Sequence, residues 1–555
     1  MKIRAAVVQT LAALGEIQEN IGLLRQYTQE AVRQGADLVV FPECMNTGYL
    51  FDSADHCRTL AEPLTGPFVA AMADLCRHYG IHIASGITEL DPESGKVYNS
   101  GVLLNAQGEI AIHYQKQFLA THDQNWFEVG VKGSPVADTD LGRMGLLICF
   151  DGRIPEIARC LALQGAEIIV DMANFFTLDQ ADLWGPARAY ENGIWLVAAT
   201  KSGVERSIYY PGGSMIVAPN GQVLVRIPND THAVASADIE TTAAQDKRWW
   251  GKGEKLADRQ PLAYSILTQP FAETPVAKIL PDSLVPEAST VKIAAVQSHA
   301  TEAVDSWKAT LAQLTHAAKL GIQLLVLPEH CTHFTWMLNP EQAEVQADQA
   351  PQYLDQVAEI ARQYGCSVVL PLVQRVAGQL MSTAVLVGAT GEVLGEYHQV
   401  HLSPEARIWG NPGDQLPVFD TPLGRIGMIL GYDGLFPEST RVLALQGADI
   451  ITWSCAWRER VERGLLAVPK AEDNRVYVVC ANRWDCPYPG GSFVVPPQGF
   501  PHWDVNIVAP PTQIRGAVMP MYANLALSRQ KRIIPQVDVL RNRLVSTYQP
   551  LVTQS

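Results

Sequence analysis

Three observations predict a duplicated α/β fold. Strands alternate with helices along each half of the chain. Short polar loops suited to hairpins separate some adjacent strands, as around Asp91 to Lys96. A domain-sized block of motifs then recurs about 280 residues later. Alternation places helices outside a sheet, and hairpins make that sheet mixed rather than wholly parallel. Two stacked sheets per half account for the number of buried strands. A period this long marks a duplicated domain, not a solenoid.

Ile3 to Val8 is the first expected strand. The helix after it carries Ile17, Ile21 and Leu24 at i, i+4 and i+7 and closes near Gly35. Leu38 to Phe41 is the next strand, and it delivers Pro42-Glu43 at its C-terminal end, within FPECMNTGY. Strands at about Ile81 to Gly86 and Val102 to Asn105 precede Glu109 to Tyr114, which runs straight into Lys116. Met144 to Ile148 is a continuous apolar run, the pattern of a buried strand, and it ends on Cys149. Pro155 suits the first position of the following helix and Gly165 its C-terminal cap. A thiol on that turn stands at the end of a sheet, near backbone N–H groups that lower a thiol pKa and cradle an oxyanion. The competing reading of this run alone is a buried, inert cysteine. Ile168 to Val170 is a further strand. The stretch DMANFFTLDQADLWGPAR from Asp171 has no simple period and is expected to be a pocket-lining loop. Asn174, Phe175 and Trp184 are its candidates for substrate contact, with aromatic packing as the alternative. Arg188 and Glu191 suit a structural ion pair.

The second half repeats this order. VKIAAVQS from Val291 repeats the opening, LLVLPEH ends at Glu329, and LGRIGMILGYDGLFPE from Leu423 repeats LGRMGLLICFDGRIPE. The expected organisation is domain 1 over residues 1–265, a linker over 266–289 and domain 2 over 290–555. The linker carries the proline and small polar residues of such segments. The tail from Arg515 resembles the end of domain 1, as a terminal extension able to clasp a neighbouring half. Its Arg529, Lys531 and Arg532 are expected on a solvated face.

A chain of 555 residues is too long for one core. Its net charge of -15 gives no general attraction to nucleic acid or an anionic membrane, so a small-molecule partner is expected. The opening MKIRAAVVQT is too short an apolar stretch for a signal peptide, and no run approaches a membrane span, which makes the cytoplasm the expected compartment. Ten cysteines without a C-x-x-C pair read as reduced thiols. Thirteen histidines without zinc spacing imply no metal.

Domain 1 thus sets Glu43, Lys116 and Cys149 at strand ends or just beyond them. A carboxylate can take the thiol proton, the thiolate can attack an electrophilic carbon, and an ammonium can stabilise the negative charge that results. FPE followed by TGY, then YQK, then ICFDGRIPE, in that order, resembles the Glu, Lys and Cys motifs of the nitrilase superfamily of carbon-nitrogen hydrolases. The likeness extends through ARAYENGIWLVAAT and GGSMIVAPNG, and in degraded form through domain 2. It implies two tandem αββα sandwich domains forming an intramolecular pseudo-dimer, with further homo-oligomers open. It implies Cys149 as nucleophile, Glu43 as general base, Lys116 as stabiliser of the tetrahedral intermediate and the Phe150 N–H as oxyanion donor, with no cofactor. The family's second acidic residue falls on Asp123, one methylene shorter than the usual Glu; Glu128 is the competing candidate, on the solvent side. Cys149-Phe150-Asp151 is similar to the amidase and carbamoylase branches, so an amide or carbamoyl substrate is expected over a nitrile. The reaction implied is hydrolysis of a non-peptide carbon-nitrogen bond through a thioester, releasing ammonia or an amine. A nitrilase, an acyl transferase to an amine and a non-catalytic binding protein with a vestigial site are the alternatives.

Domain 2 departs from the pattern. Gly431 stands at the repeat of Cys149 and Gln399 at that of Lys116, while Glu329 survives. Glycine offers no nucleophile and a neutral amide cannot replace an ammonium, so domain 2 is expected to be an inert pseudoenzyme that shapes the domain 1 pocket. A small-molecule pocket at its vacated site is the other reading. Cys455 lies past the next expected strand and reads as structural.

Overall fold

The computed structural model describes residues 1–249, 253–281, 287–299, 305–333, 335, 337–485, 488–499 and 516–554. Apolar runs bury strands and periodic apolar faces bury helices. In chain order the first unit contains β1 (Lys2–Gln9), α1 (Ile17–Arg33), β2 (Leu38–Val40), α2 (Ala54–Leu60), α3 (Pro67–Tyr79), β3 (His82–Leu90), β4 (Val97–Leu104), β5 (Ile110–Gln115), α4 (Asp123–Trp126), β6 (Val136–Thr139) and β7 (Gly142–Leu147). It continues with α5 (Pro155–Leu163), β8 (Ile168–Ala173), α6 (Gly185–Asn192), β9 (Trp195–Thr200), β10 (Ser202–Glu205), β11 (Ile208–Pro211), β12 (Met215–Val217), β13 (Val223–Arg226) and β14 (Ala233–Glu240). Strand β4 begins at Val97 rather than Val102 because it pairs antiparallel with β3 from Leu90↔Val97 onwards.

Two six-stranded sheets result, ordered β14-β1-β2-β3-β4-β5 and β13-β12-β9-β8-β7-β6. Strands β1, β2 and β3 run parallel, as do β7, β8 and β9, and antiparallel strands complete each sheet. The sheets stack face to face, with β1 against β9 and β3 against β8. Helices α1 and α3 cover the outside of the first sheet, where Ile21, Leu24, Phe68 and Met72 join Val39, Ile83 and Val102 in one core. Helices α5 and α6 cover the second. The layers are therefore helix, sheet, sheet, helix. This brings the ends of β2 and β5 from one sheet near the end of β7 from the other.

The second unit repeats the sandwich. One sheet runs Val393–His398, Gln379–Val387, Ser367–Val376, Leu324–Val326, Thr290–Gln297, Ala517–Asn524; the other runs Val418–Thr421, Gly424–Leu430, Ile450–Ser454, Tyr477–Ala481, Phe493–Val495. Cys455 is buried just past Ile450–Ser454, its N–H donating to Ala481 O at 2.7 Å. All described cysteines are free thiols. Among the described residues no helix is long and apolar enough to cross a membrane.

Compact packing groups the chain differently from the sequence repeat. Met1–Arg248 packs with Arg532–Leu551, and Trp249–Lys531 with the last residues from Val552. In the first unit Arg543 Nε lies 2.9 Å from Glu156 Oε1, and Thr547 Oγ1 donates to Gln117 Oε1 at 2.7 Å. In the second, Arg259 Nε donates to Glu438 Oε1 at 2.7 Å and Tyr264 bonds His401. The stretch expected as a linker is partly helical, over Pro261–Thr268 and Pro275–Ile279, with Leu267 and Val276 fully buried in the second unit. Residues 282–286 of that stretch and Arg515 lie outside the described residues. The expected solvated basic face is a correction for two of its three members. Lys531 is buried, donating to Asn474 O and Arg475 O, and Arg529 makes two 3.0 Å bonds to Asp449. Both cations cap backbone or carboxylate acceptors that sequence spacing does not bring near them.

The Arg259–Glu438 pair is almost wholly buried, with side chains 1% and 3% exposed. Removing one partner strands the other charge in a dry interior. Arg259→Ala is expected to destabilise the second unit by about 3 kcal/mol or more, read as a lower midpoint in urea unfolding. A midpoint equal to that of the unaltered chain would show the pair to be energetically idle.

Candidate active site

Three turns carry the chemistry of the first unit. Glu43 follows β2, where Gly86 N donates to Pro42 O at 3.0 Å and Met45 N to Gly86 O at 2.8 Å. A Cβ at Gly86 would stand 2.4 Å from Glu43 Cα, so the two backbones meet only because this residue is glycine. Lys116 follows β5; its N–H donates to Asn99 O at 2.9 Å and its carbonyl accepts from Gly130 N at 2.8 Å. Cys149 follows β7 with φ +52°, a left-handed conformation that a cysteine holds only when its surroundings impose it. The constraint is visible: Cys149 N donates to Asp171 Oδ1 at 2.8 Å. Asp151 accepts from Ile148 N, Phe118 N and Tyr114 OH at 3.0, 2.9 and 2.7 Å, and so ties the cysteine turn to the segment beyond Lys116.

Lys116 Nζ lies 2.8 Å from Glu43 Oε1 and 2.8 Å from Asp123 Oδ2. Asn99 Nδ2 donates to both carboxylates, at 2.5 and 3.2 Å. Asp123 also accepts from Tyr49 OH at 2.8 Å and from Ala120 N at 2.9 Å. Asp123 reaches the ammonium despite its short side chain because it sits at the start of α4, folded back onto Lys116. Glu128 instead forms an exposed 3.2 Å pair with Lys96.

Glu43, Lys116, Asp123 and Cys149 are each 2% exposed or less. Burial pushes the Glu43 carboxyl above its ordinary value, against the opposing pull of Lys116. Burial opposes the charge on Lys116, but the Asp123 and Glu43 carboxylates outweigh it and hold the ammonium well above its ordinary value. The Cys149 thiol is raised well above its ordinary value by burial and then by the Glu43 charge, with Lys116 opposing. At rest the site therefore holds a thiol, a firm ammonium and a carboxylate of enhanced basicity.

Cys149 Sγ lies 3.8 Å from Asn174 O and 3.7 Å from Gln180 Nε2. Asn174 is fully buried with both side-chain polar atoms unbonded among the described residues, and Phe175 N donates to Thr200 Oγ1 at 2.8 Å. The Phe150 ring stacks on Phe118 with centroids 5.4 Å apart. Trp184 packs under the Arg153 guanidinium, 3.2 Å above its ring. Arg188 pairs with Glu191 at 2.7 Å and donates to Gly152 O at 2.8 Å, bracing the cysteine turn.

The stretch from Asp171, expected as a loop, is loop only in part. Asp171 to Ala173 extend β8, Gln180–Trp184 forms a π-helical turn, and α6 begins at Gly185 with Pro186 in its first turn. Sequence reasoning missed Asn99, Asp171 and Gln180. Asn99 and Asp171 sit on ordinary strands and meet the site only through pairing, so no local signal marks them; Tyr49, in TGY, lay within a motif already singled out. Among the described residues no cluster of His, Cys, Asp and Glu is arranged to hold a metal ion.

The carbon-nitrogen hydrolase family model matches residues 4–248 and, a second time, residues 290–501. The chain is similar to a nitrilase of Pyrococcus abyssi, 32% identical over 259 residues that cover 46% of this chain and 97% of that protein. It is also similar to a deaminated glutathione amidase of Mus musculus, 32% identical over 228 residues, 38% of this chain and 69% of that protein. An amidase structure from Nesterenkonia sp. aligns with a TM-score of 0.39 at 26% identity, covering 44% of this chain and 93% of that one.

Gly86→Ala is expected to push the Glu43 backbone aside while leaving the sheets paired. A displacement of about 1 Å at a reacting group costs on the order of a hundredfold in rate. Carbon-nitrogen hydrolysis by this variant, compared with its circular dichroism and melting, checks this; unchanged activity in a folded variant would show that the Gly86 contact does not position Glu43.

Proposed function

The chain belongs to the carbon-nitrogen hydrolase family, and from that premise we propose that its first unit hydrolyses a small amide or N-carbamoyl compound through a thioester on Cys149. The observation that carries the reading is Lys116 Nζ held 2.8 Å from both Glu43 and Asp123, with Cys149 close enough to feel the charges of Glu43 and Lys116. Buried together, these groups supply a base, a nucleophile and a fixed positive charge without a histidine.

Glu43 takes the thiol proton as Cys149 Sγ attacks the carbonyl carbon. The carbonyl π electrons move to oxygen, and the oxyanion is met by the Lys116 ammonium and the Phe150 N–H. Collapse of the intermediate breaks the carbon-nitrogen bond. The departing nitrogen receives the proton from Glu43 and leaves as ammonia or an amine. Glu43, ionised again, takes a proton from water, whose oxygen attacks the thioester; collapse releases the acid and returns the proton to sulfur. Asp123 and Asn99 are positioning residues, since they act on Lys116 and Glu43 rather than on the reacting carbon. Asn174, whose carbonyl lies 3.8 Å from Cys149 Sγ, and the residue after it, Phe175, are the proposed substrate contacts. The second unit takes no part in this chemistry, with Gly431 and Gln399 where nucleophile and ammonium would stand. Similarity to a nitrilase keeps a nitrile substrate as the second reading.

Ammonia release from a panel of carboxamides, N-carbamoyl compounds and nitriles tests the proposal. Turnover of amides or carbamoyl compounds that disappears in Cys149→Ala, by at least about a thousandfold, is expected. Turnover of nitriles alone would favour the second reading, and turnover that survives in Cys149→Ala would remove the nucleophile.

A pH dependence follows from Glu43. Protonation disables the base, so kcat/KM falls as pH drops through the Glu43 pKa, which burial raises above 4.5. The acid limb of the profile is expected above pH 4.5; a limb at or below that value would show that Glu43 is not the titrating base.

A further inference from the structure

The second unit keeps a cavity of about 570 Å³ where its catalytic residues would have stood, within the usual range for a small-molecule site. Gly431 and Glu329 line it at the positions equivalent to Cys149 and Glu43, and Gln399 at that of Lys116. What held Glu43 in the first unit is gone. Gln399 turns its amide to Leu430 O at 3.1 Å. Ser382, whose carbonyl accepts from Gln399 N as Asn99 O does from Lys116 N, is too short to span to the carboxyl. Ala406, as far beyond Gln399 as Asp123 is beyond Lys116, carries no polar group.

Glu329 is left 9% exposed, accepting no hydrogen bond from any described residue; His330 Nε2 stays 3.9 Å from Oε1. A buried carboxyl without partners is costly, and this one opens onto the cavity. The walls are aromatic, with Trp409, Tyr432 and Trp457, and the other charged groups are predominantly acidic. Glu405 and Glu459 line the cavity with a single guanidinium, Arg458, which is itself 3.7 Å from Glu405, while Glu462 accepts from the Arg458 and Glu459 backbone N–H groups.

We propose that this cavity binds a small organic primary ammonium, its N–H groups donating to the Glu329 carboxylate and its apolar body lying against Trp409, Tyr432 and Trp457. The ammonium supplies the hydrogen-bond donors that Glu329 lacks, and aromatic faces attract a cation. An anion would meet the Glu405 and Glu459 carboxylates, and among the described lining residues Arg458 alone is a lysine or arginine. No covalent step is involved, because Gly431 offers no nucleophile.

Binding is linked to protons. Burial, and then the Asp433 charge, raise the Glu329 carboxyl to about 8, with Arg458 opposing. His330 beside it is pushed well below its ordinary value by burial, and so is neutral, while burial raises Glu462 to about 8. The Cys455 thiol, which also senses Glu329, is raised well above its ordinary value by burial. At neutral pH Glu329 is thus mostly protonated, and an arriving ammonium displaces that proton to solvent. Affinity rises with pH until the amine itself loses its proton.

Isothermal titration calorimetry of the full chain carrying Cys149→Ala, with 2-phenylethylamine as probe, tests this. The expected result is saturable binding that strengthens at least about tenfold between about pH 6 and about pH 8. It releases a proton, detected as a dependence of the heat on buffer ionisation enthalpy. It weakens at least about tenfold when Glu329→Gln is added, and is not reproduced by 2-phenylethanol or 3-phenylpropanoate. Glu329→Gln keeps the shape of the side chain, and its melting temperature reports whether the unit stays folded. Absence of saturable binding, equal binding by the alcohol or the acid, or binding untouched by Glu329→Gln in a folded protein would each overturn the proposal.

Discussion

An ammonium buried between two carboxylates is the constraint around which the first unit is arranged. Lys116 cannot be ionised in a dry interior without partners, because removing a charge from water costs several kcal/mol that only close, well-directed acceptors return. Glu43 and Asp123 provide them at 2.8 Å each. The two carboxylates still repel each other across the ammonium, and Asn99, which donates to both, offsets part of that repulsion. These four residues come from the end of β2, the strand β4, the end of β5 and the start of α4. The cluster therefore exists only when the first sheet is fully paired.

The cysteine comes from the other sheet. Stacking the sheets brings the end of β7 to the cluster, and the last few ångströms are set by local devices. Asp171 holds the Cys149 amide, Asp151 ties its turn to Tyr114 and Phe118, and Gly86 lets the Glu43 backbone close in. A left-handed cysteine is unfavourable by itself and is sustained by these bonds. The second unit shows what the arrangement becomes without its charges. Gly431 retains a positive φ, of +29°, although it has no thiol to present. Burial, and then the Asp433 charge, leave Glu329 shifted up to about 8, mostly protonated at neutral pH, beside the cavity.

The two units also share a device that has nothing to do with catalysis. Each takes up a terminal segment from the other repeat and anchors it with a buried arginine on a glutamate at the start of a helix, Arg543 on Glu156 and Arg259 on Glu438. Those helices, Pro155–Leu163 and Pro437–Leu445, directly follow the turns of Cys149 and Gly431. A segment that pins this helix also steadies the turn before it. That connection explains why Leu267 and Val276, in the stretch whose composition reads as linker, are fully buried, and why Arg543 in the terminal extension is buried against Glu156.

Much of this was legible along the chain. Apolar periodicity marked the strands and helices, because burying an apolar face requires it at a fixed spacing whatever the neighbours are. The duplication was plain for the same reason, and Glu43, Lys116 and Cys149 stood out because each ends or closely follows an apolar run. Gly431 and Gln399 marked the second unit as altered, since a missing functional group needs no structure to be seen. Tertiary structure alone decided the rest. Asn99 and Asp171 joined the site through strand pairing, the terminal segments found their buried partners, Arg543 on Glu156 and Arg259 on Glu438, and Lys531 and Arg529 found acceptors. Hydrogen bonds and ion pairs between residues far apart depend on distance in space, which spacing along a chain does not encode.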